Sequence, residues 1–209
     1  MQIIFSYENI YSHLRILEKM KMMEELSHKQ FVILGLVAEE PSHAYSINQR
    51  IDERGMRDWT AIGKSSIYRV ILELEDIKLV EHHEEEVDRR KRKVYTITDY
   101  GTRILKDKVY KVIKGFIGKN DEDFYVAFSM LPLLSTEQMI EAFSYSIETM
   151  KSHKLELEKM LKVNPNFPIN VSGLFIHPIK ILETDILFME WVIEKINGGD
   201  EFGSKILDK

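Results

Sequence analysis

The chain has 209 residues, of which 44% are hydrophobic and 30% charged, and a formal net charge of −5. That composition and length suit one or two domains with a real core and exclude wholesale disorder. The chain has no Cys, which excludes a disulfide framework, a thiolate metal site and a Cys nucleophile.

The first segment, residues 1–23, carries 3 basic and 2 acidic residues. It lacks the basic start and small-residue cleavage site of a signal peptide. It reads either as an added amphipathic helix or as an upstream start, because Met22 and Met23 directly precede the next segment. Ser27 and Gln30 form a capping box before the apolar run 31–38. Pro41 ends that helix, and Ser42 is placed to cap a second one that stops near Gly55. Trp59 follows in a loop and is expected to pack the domain. A third helix starts at Ser65 or Ser66, with Ile67, Val70, Ile71, Leu74 and Ile77 on one face. The period then changes. Residues 79–84 and 93–98 read as two short strands, with a polar hairpin tip at 85–92. Thr98 caps a helix over 99–116.

The last third begins with another capping box, Ser135 to Gln138. Two long apolar seams follow. One is Ile140, Phe143, Ile147, Met150, Leu157 and Leu161, interrupted by Lys154. After a Pro/Asn/Gly-rich stretch (164–178, expected to be a loop) comes the other: Ile179, Leu182, Ile186, Met189, Ile193 and Ile196. The 3-4 spacing is that of a heptad seam, and these twelve residues are expected to form a dimerisation surface. The second helix also carries Ile181, Leu187, Phe188, Trp191 and Val192 off the seam. A helix apolar on several faces must be covered on several faces. One partner helix in the same chain is too little, so a second chain is expected. No run is long and apolar enough to span a membrane; the longest charge-free run, 163–179, holds three Pro and three Asn.

The sharpest local feature is the run Arg89, Arg90, Lys91, Arg92 and Lys93. Five adjacent cations repel one another unless they meet anions, and the spaced phosphates of a duplex are a natural partner. The plainer reading is a solvated turn offset by Glu84, Glu85, Glu86 and Asp88. The second feature is the start of the third helix, where Lys64, Ser65, Ser66, Tyr68 and Arg69 are small, hydroxylated, aromatic or basic. Free amides and the positive dipole end favour anions there. A helix with small residues at its tip enters a major groove roughly 12 Å wide.

Other motifs carry less. Gly63-Lys64-Ser65-Ser66 ends like a phosphate-binding loop, but Asp58 stands where that loop needs Gly. His82 and His83 are adjacent in a strand and face opposite sides, so no shared metal is expected. No catalytic triad, carboxylate pair or cofactor turn stands out, so neither an enzyme nor a cofactor is expected. Phe188 and Trp191 are weighed as an effector pocket against the plainer role of dimer core.

Four motifs in order resemble the PadR-like transcriptional regulators: residues 32–36, 43–47, 66–74 and 92–101. The resemblance covers about 26–106. Ala44 and Ser46 depart from the family pattern, which commonly has Gly and an acidic residue there. The last third, with residues 124–128 and two long helices, resembles the longer subfamily with a helical dimerisation domain. The resemblance implies an α+β, mostly α fold: an N-terminal winged helix-turn-helix at 24–118 and a long-helix dimerisation domain at 119–209. It also implies a cytoplasmic homodimer that binds double-stranded DNA, with repression usually relieved by a small molecule or stress signal. The charge agrees: 24–118 carries 17 basic and 17 acidic residues, whereas 119–209 carries 9 and 15. The rival expectation is a winged helix that binds an acidic protein partner instead of DNA.

Overall fold

The structure is a computed structural model. It describes residues 26–60, 62–64, 66–87, 90–118, 121–163 and 166–200; the expectations for 1–23 lie outside them. The order is α1 (His28–Glu39), α2 (Ala44–Glu53), a 3-10 turn (Met56–Asp58), α3 (Ser66–Asp76), β1 (Val80–Val87), β2 (Arg90–Ile97) and α4 (Asp99–Gly115). Then follow α5 (Glu122–Ser129), a second 3-10 turn (Leu131–Leu133), α6 (Thr136–Val163) and α7 (Ile169–Asn197). The chain divides into two units, 1–108 and 109–209. The division falls inside α4, ten residues before the boundary expected from the sequence. Among the described residues no helix is long and apolar enough to cross a membrane.

In the first unit, α1 is the centre. All eight residues from Phe31 to Ala38 are buried. A helix apolar all round needs cover all round, and α2, α3 and β2 pack against it. Its start is the capping box expected: the Ser27 amide donates to Gln30 Oε1 (3.0 Å) and the Gln30 amide to Ser27 Oγ (3.4 Å). In α3, Ile67, Val70, Ile71 and Leu74 are buried, as a one-faced stripe requires.

Two local expectations fail. Ser42 does not cap α2. Its backbone pairs with Tyr95 through two 2.9 Å bonds, which adds a third short rung beside the hairpin. Ser42 Oγ donates instead to Glu40 O. The N-cap of α2 is His43, which makes no side-chain cap bond. Trp59 is 38% exposed rather than packed.

The hairpin is longer and tighter than expected. Residues 80–87 pair antiparallel with 90–97 in unbroken register, so only 88 and 89 lie between the strands. Most of the basic run therefore lies in a strand and not at a tip. Thr98 then ties the hairpin to α4. Its hydroxyl accepts from the Gly101 amide (2.9 Å) and donates to Lys78 O (2.8 Å), while its amide donates to Leu79 O (3.0 Å). Gly101 sits so close to this turn that a Cβ would strike the Leu79 carbonyl and come within 2.9 Å of Ile97.

In the second unit, α6 and α7 form an antiparallel pair, marked by ion pairs from Lys151 to Glu190 and from Lys154 to Glu183. The pair buries Phe143, Ile147 and Met150 against Ile179, Leu182, Ile186, Met189 and Ile196, all within one chain. Ile140, Leu157, Leu161 and Ile193 are half-buried. The seam read as a dimerisation surface is thus mainly an intrachain hairpin core. The reason is topological: two heptad helices joined by a short connection reach each other before any other chain does. The stretch 164–178 is also not all loop. Helix α7 begins at Ile169 and runs through Pro178. Proline there removes one amide from the helical ladder, and the apolar face that starts at Ile179 continues the helix regardless.

Replacing Gly101 by Ala should destabilise the first unit by about 1–3 kcal/mol, because the new methyl meets fixed backbone. Urea unfolding followed by circular dichroism measures this; an unchanged midpoint would refute the close approach.

Candidate nucleic-acid interface

The exposed face of α3 follows from its buried one. With Ile67, Val70, Ile71 and Leu74 turned inward, Tyr68 (58% exposed) and Arg69 point outward. Arg69 lies 3.4 Å from Glu73, one turn on, which leaves it mostly solvated. Ser66 is the first residue of α3, and its hydroxyl donates to Gly63 O (2.6 Å), so it fixes the entry to the helix. Lys64 is exposed just before it, 3.9 Å from Asp52. Ser65 and Arg89 lie outside the described residues, and of Arg90 only the strand position is described.

The register of the hairpin decides how the cations stand. Lys93 faces Glu84, Arg92 faces Glu85, and Lys91 faces Glu86 across the ladder. Lys91 Nζ also reaches Glu84 Oε2 at 2.8 Å, a diagonal pair on the same face. Opposite charges at facing positions stabilise a ladder modestly, by about 0.2–1 kcal/mol each. Two consequences follow. The hairpin holds its basic strand extended without mutual repulsion, and the cations remain at the surface, where such pairs are weak and exchangeable.

The structure brings some of these residues together. Tyr68 of α3, Arg92 and Lys93 of β2, and Tyr95 line one open groove of about 560 Å³ with His43, Ala44, Tyr45 and Ser46 at the start of α2. The start of α2 was not singled out from the sequence as part of a site. Its signal lies in long-range pairing, since the Ser42–Tyr95 bridge carries it to the hairpin. His43 fastens the corner: its Nδ1 is 3.0 Å from Lys93 O, and its Nε2 is 3.9 Å from Glu85. The first amides of α2 lack a side-chain cap and so present the positive helix end toward this groove. Burial pushes the Tyr95 phenol up from its ordinary value, with Glu75 and Tyr68 adding to the shift. Lys64, Ser66, Lys91 and Arg69 do not line the groove.

Arg57 is a second residue missed by sequence reading. It bonds the Asp52 carboxylate, Asn48 Oδ1 (2.6 Å) and the Ile62 carbonyl (2.7 Å). Those bonds clamp the loop before α3 to α2 and so set where α3 begins. The Arg57 hydrogen bond holds the Asp52 carboxyl below its ordinary value.

The candidate residues of the second unit form a separate group. Phe188 and Trp191 stack at 5.9 Å and are 37% and 51% exposed. Leu187, one turn before Trp191 on α7, is 67% exposed and shares a shallow groove with Leu155 of α6. Among the described residues no group of His, Asp and Glu has the arrangement of a metal site.

Residues 33–107 match the model of the transcriptional regulator PadR-like family. No curated protein matches the chain. Among solved structures, that of Bacillus subtilis PadR in complex with operator DNA is similar over 82% of this chain and 98% of that one, at 19% identity and a TM-score of 0.38.

The Asp52–Arg57 clamp yields a pH prediction. A carboxyl whose folded pKa is depressed stabilises above its unfolded value and loses that contribution as pH falls through the folded one. Stability of the full-length protein should therefore fall below about pH 4, and Asp52→Asn should make that fall shallower. Urea midpoints at pH 3 and pH 6 measure it; an identical drop in both proteins would refute the clamp.

Proposed function

We propose that the chain is a transcriptional regulator of the PadR-like kind, a reading supported by the family match over residues 33–107, and that it binds double-stranded DNA in a sequence-specific way as a homodimer. On this reading it acts as a repressor relieved by a small-molecule or stress signal. The observation that carries it is the groove where Tyr68, Arg92, Lys93 and the uncapped start of α2 converge. A strand of phosphates along that groove would meet two cations and a positive helix end, while the exposed face of α3 enters the major groove. Tyr68 and Arg69 are assigned to base edges and Lys64, Ser65 and Ser66 to phosphate at the helix start. Arg89 to Lys93 are assigned to the backbone or minor groove.

The dimer proposal shifts from the seam to what the seam leaves uncovered. Leu187, Trp191 and Leu155 are large, apolar and half or more exposed, and such clusters mark association surfaces. A two-fold dimer implies a pseudo-palindromic site with half-sites about one or two helical turns apart. Phe188 and Trp191 are retained as the candidate effector region. The facing carboxylates Glu84, Glu85 and Glu86 favour one rival, a winged helix that docks on a protein.

Duplex titration separates the two. Replacing Arg89, Arg90, Lys91 and Arg92 together by Ala should weaken binding to specific and random DNA alike. It should also flatten the dependence of log K on log salt by about one unit per lost phosphate contact. Tyr68→Ala or Arg69→Ala should instead relax base preference, by roughly 1–3 kcal/mol per base contact. Affinity unchanged by the fourfold variant would remove DNA as the partner of the hairpin.

The dimer has its own test. The full-length chain should sediment as a dimer at micromolar concentration, and Leu187→Glu should shift it to monomer while leaving its helical signal intact. A wild-type monomer under those conditions would sink the proposal.

A further inference from the structure

We infer that the second unit holds a binding site for a lipophilic organic cation, walled by Phe124, Tyr125, Ile181 and Phe188 and charged by Asp185. The cavity is about 440 Å³, within the range of small-molecule sites. Its aromatic wall is already built: Phe124 stacks on Phe116 at 4.1 Å and meets Tyr125 and Phe188 edge-on at 5.7 and 6.5 Å. Phe188 and Tyr125 keep exposed surface toward solvent. Ring faces attract cations, and the carboxylate beside them selects for that charge.

Asp185 is what makes the cavity more than an apolar dent. It is half-buried on α7, and among the described residues it has no hydrogen-bond or ion-pair partner. Burial alone pushes its carboxyl up from the ordinary value. Two other polar lining groups are engaged: Asp121 accepts from the Asp123 amide (2.9 Å) as the cap of α5, and the Thr184 hydroxyl donates to Lys180 O (3.0 Å). The space next to Asp185 also depends on Gly118. That residue has φ +71°, and a Cβ on it would lie 2.8 Å from Leu182 and 3.1 Å from Asp185 Oδ2. An apolar occupant, such as the face of a second copy, would bury this carboxylate without a partner, which is costly. A cation with aromatic or alkyl substituents satisfies both the charge and the walls.

The site deepens the effector reading and relies on it only for signalling, so binding and DNA release are measured separately. The probe is tetraphenylphosphonium, titrated into the full-length protein by calorimetry and by Trp191 fluorescence. Saturable binding is expected. Tetraphenylborate, of the same shape and opposite charge, should bind at least about ten-fold more weakly. Asp185→Asn should lose about ten-fold in phosphonium affinity and the preference between the two ions, and Asp185→Glu should keep the preference. Circular dichroism confirms that each variant is folded, and the ion comparison on the unmodified chain does not depend on any variant. No saturable phosphonium binding, equal binding of the borate, or an unaltered Asp185→Asn protein would overturn the site. Phosphonium binding that leaves a preformed protein–DNA complex intact would uphold the site and refute its role as the effector region.

Discussion

The first unit is arranged around one constraint: α1 buries eight successive residues, so every side of it needs an apolar neighbour. Burying a large aliphatic or aromatic side chain is worth about 1.5–3 kcal/mol, and no other segment of this unit concentrates so much of it. Helices α2 and α3 and strand β2 supply that cover. Their outward faces are then whatever the inward ones leave free. Tyr68 and Arg69 are exposed because Ile67, Val70 and Ile71 are not.

Cover for α1 also explains how the groove is assembled. The hairpin must lie near α1, and the Ser42–Tyr95 bridge holds it to the start of α2. That same bridge removes Ser42 from capping duty and leaves the first amides of α2 without a side-chain partner. One backbone pairing therefore stabilises the hairpin and opens the positive end of a helix beside Arg92 and Lys93. Arg57 performs the matching task on the other side, by tying Asn48, Asp52 and Ile62 together before α3. The side chains that would touch a duplex and those that hold them in place are thus different residues, drawn from different elements.

The second unit follows another logic. Its two long helices satisfy each other along the heptad seam, and the surplus apolar residues of α7 remain at the surface. They fall on two flanks. Leu187 adjoins Leu155 on one, and Phe188 and Ile181 adjoin the α5 aromatics on the other. An apolar flank suits association between copies, whereas a flank whose carboxylate has no partner among the described residues suits a charged small molecule.

The sequence by itself determined much of the local structure. Both capping boxes, the one-faced stripe of α3, the switch to strand period and the family motifs were legible, because caps, periodicity and β-branched runs act over a few residues. It also singled out Tyr68, Arg92 and Lys93, which the structure brings to one groove. It did not reveal that Glu84, Glu85 and Glu86 face the basic strand, that Ser42 serves the hairpin instead of α2, or that Phe143, Ile147, Leu182 and Met189 satisfy one another within a single chain. Nor did it join His43 and Tyr45 to the groove, or Asp185 to an aromatic wall. Those are choices among partners distant along the chain. Period and propensity say which face of an element is apolar; only the packed structure decides what that face meets.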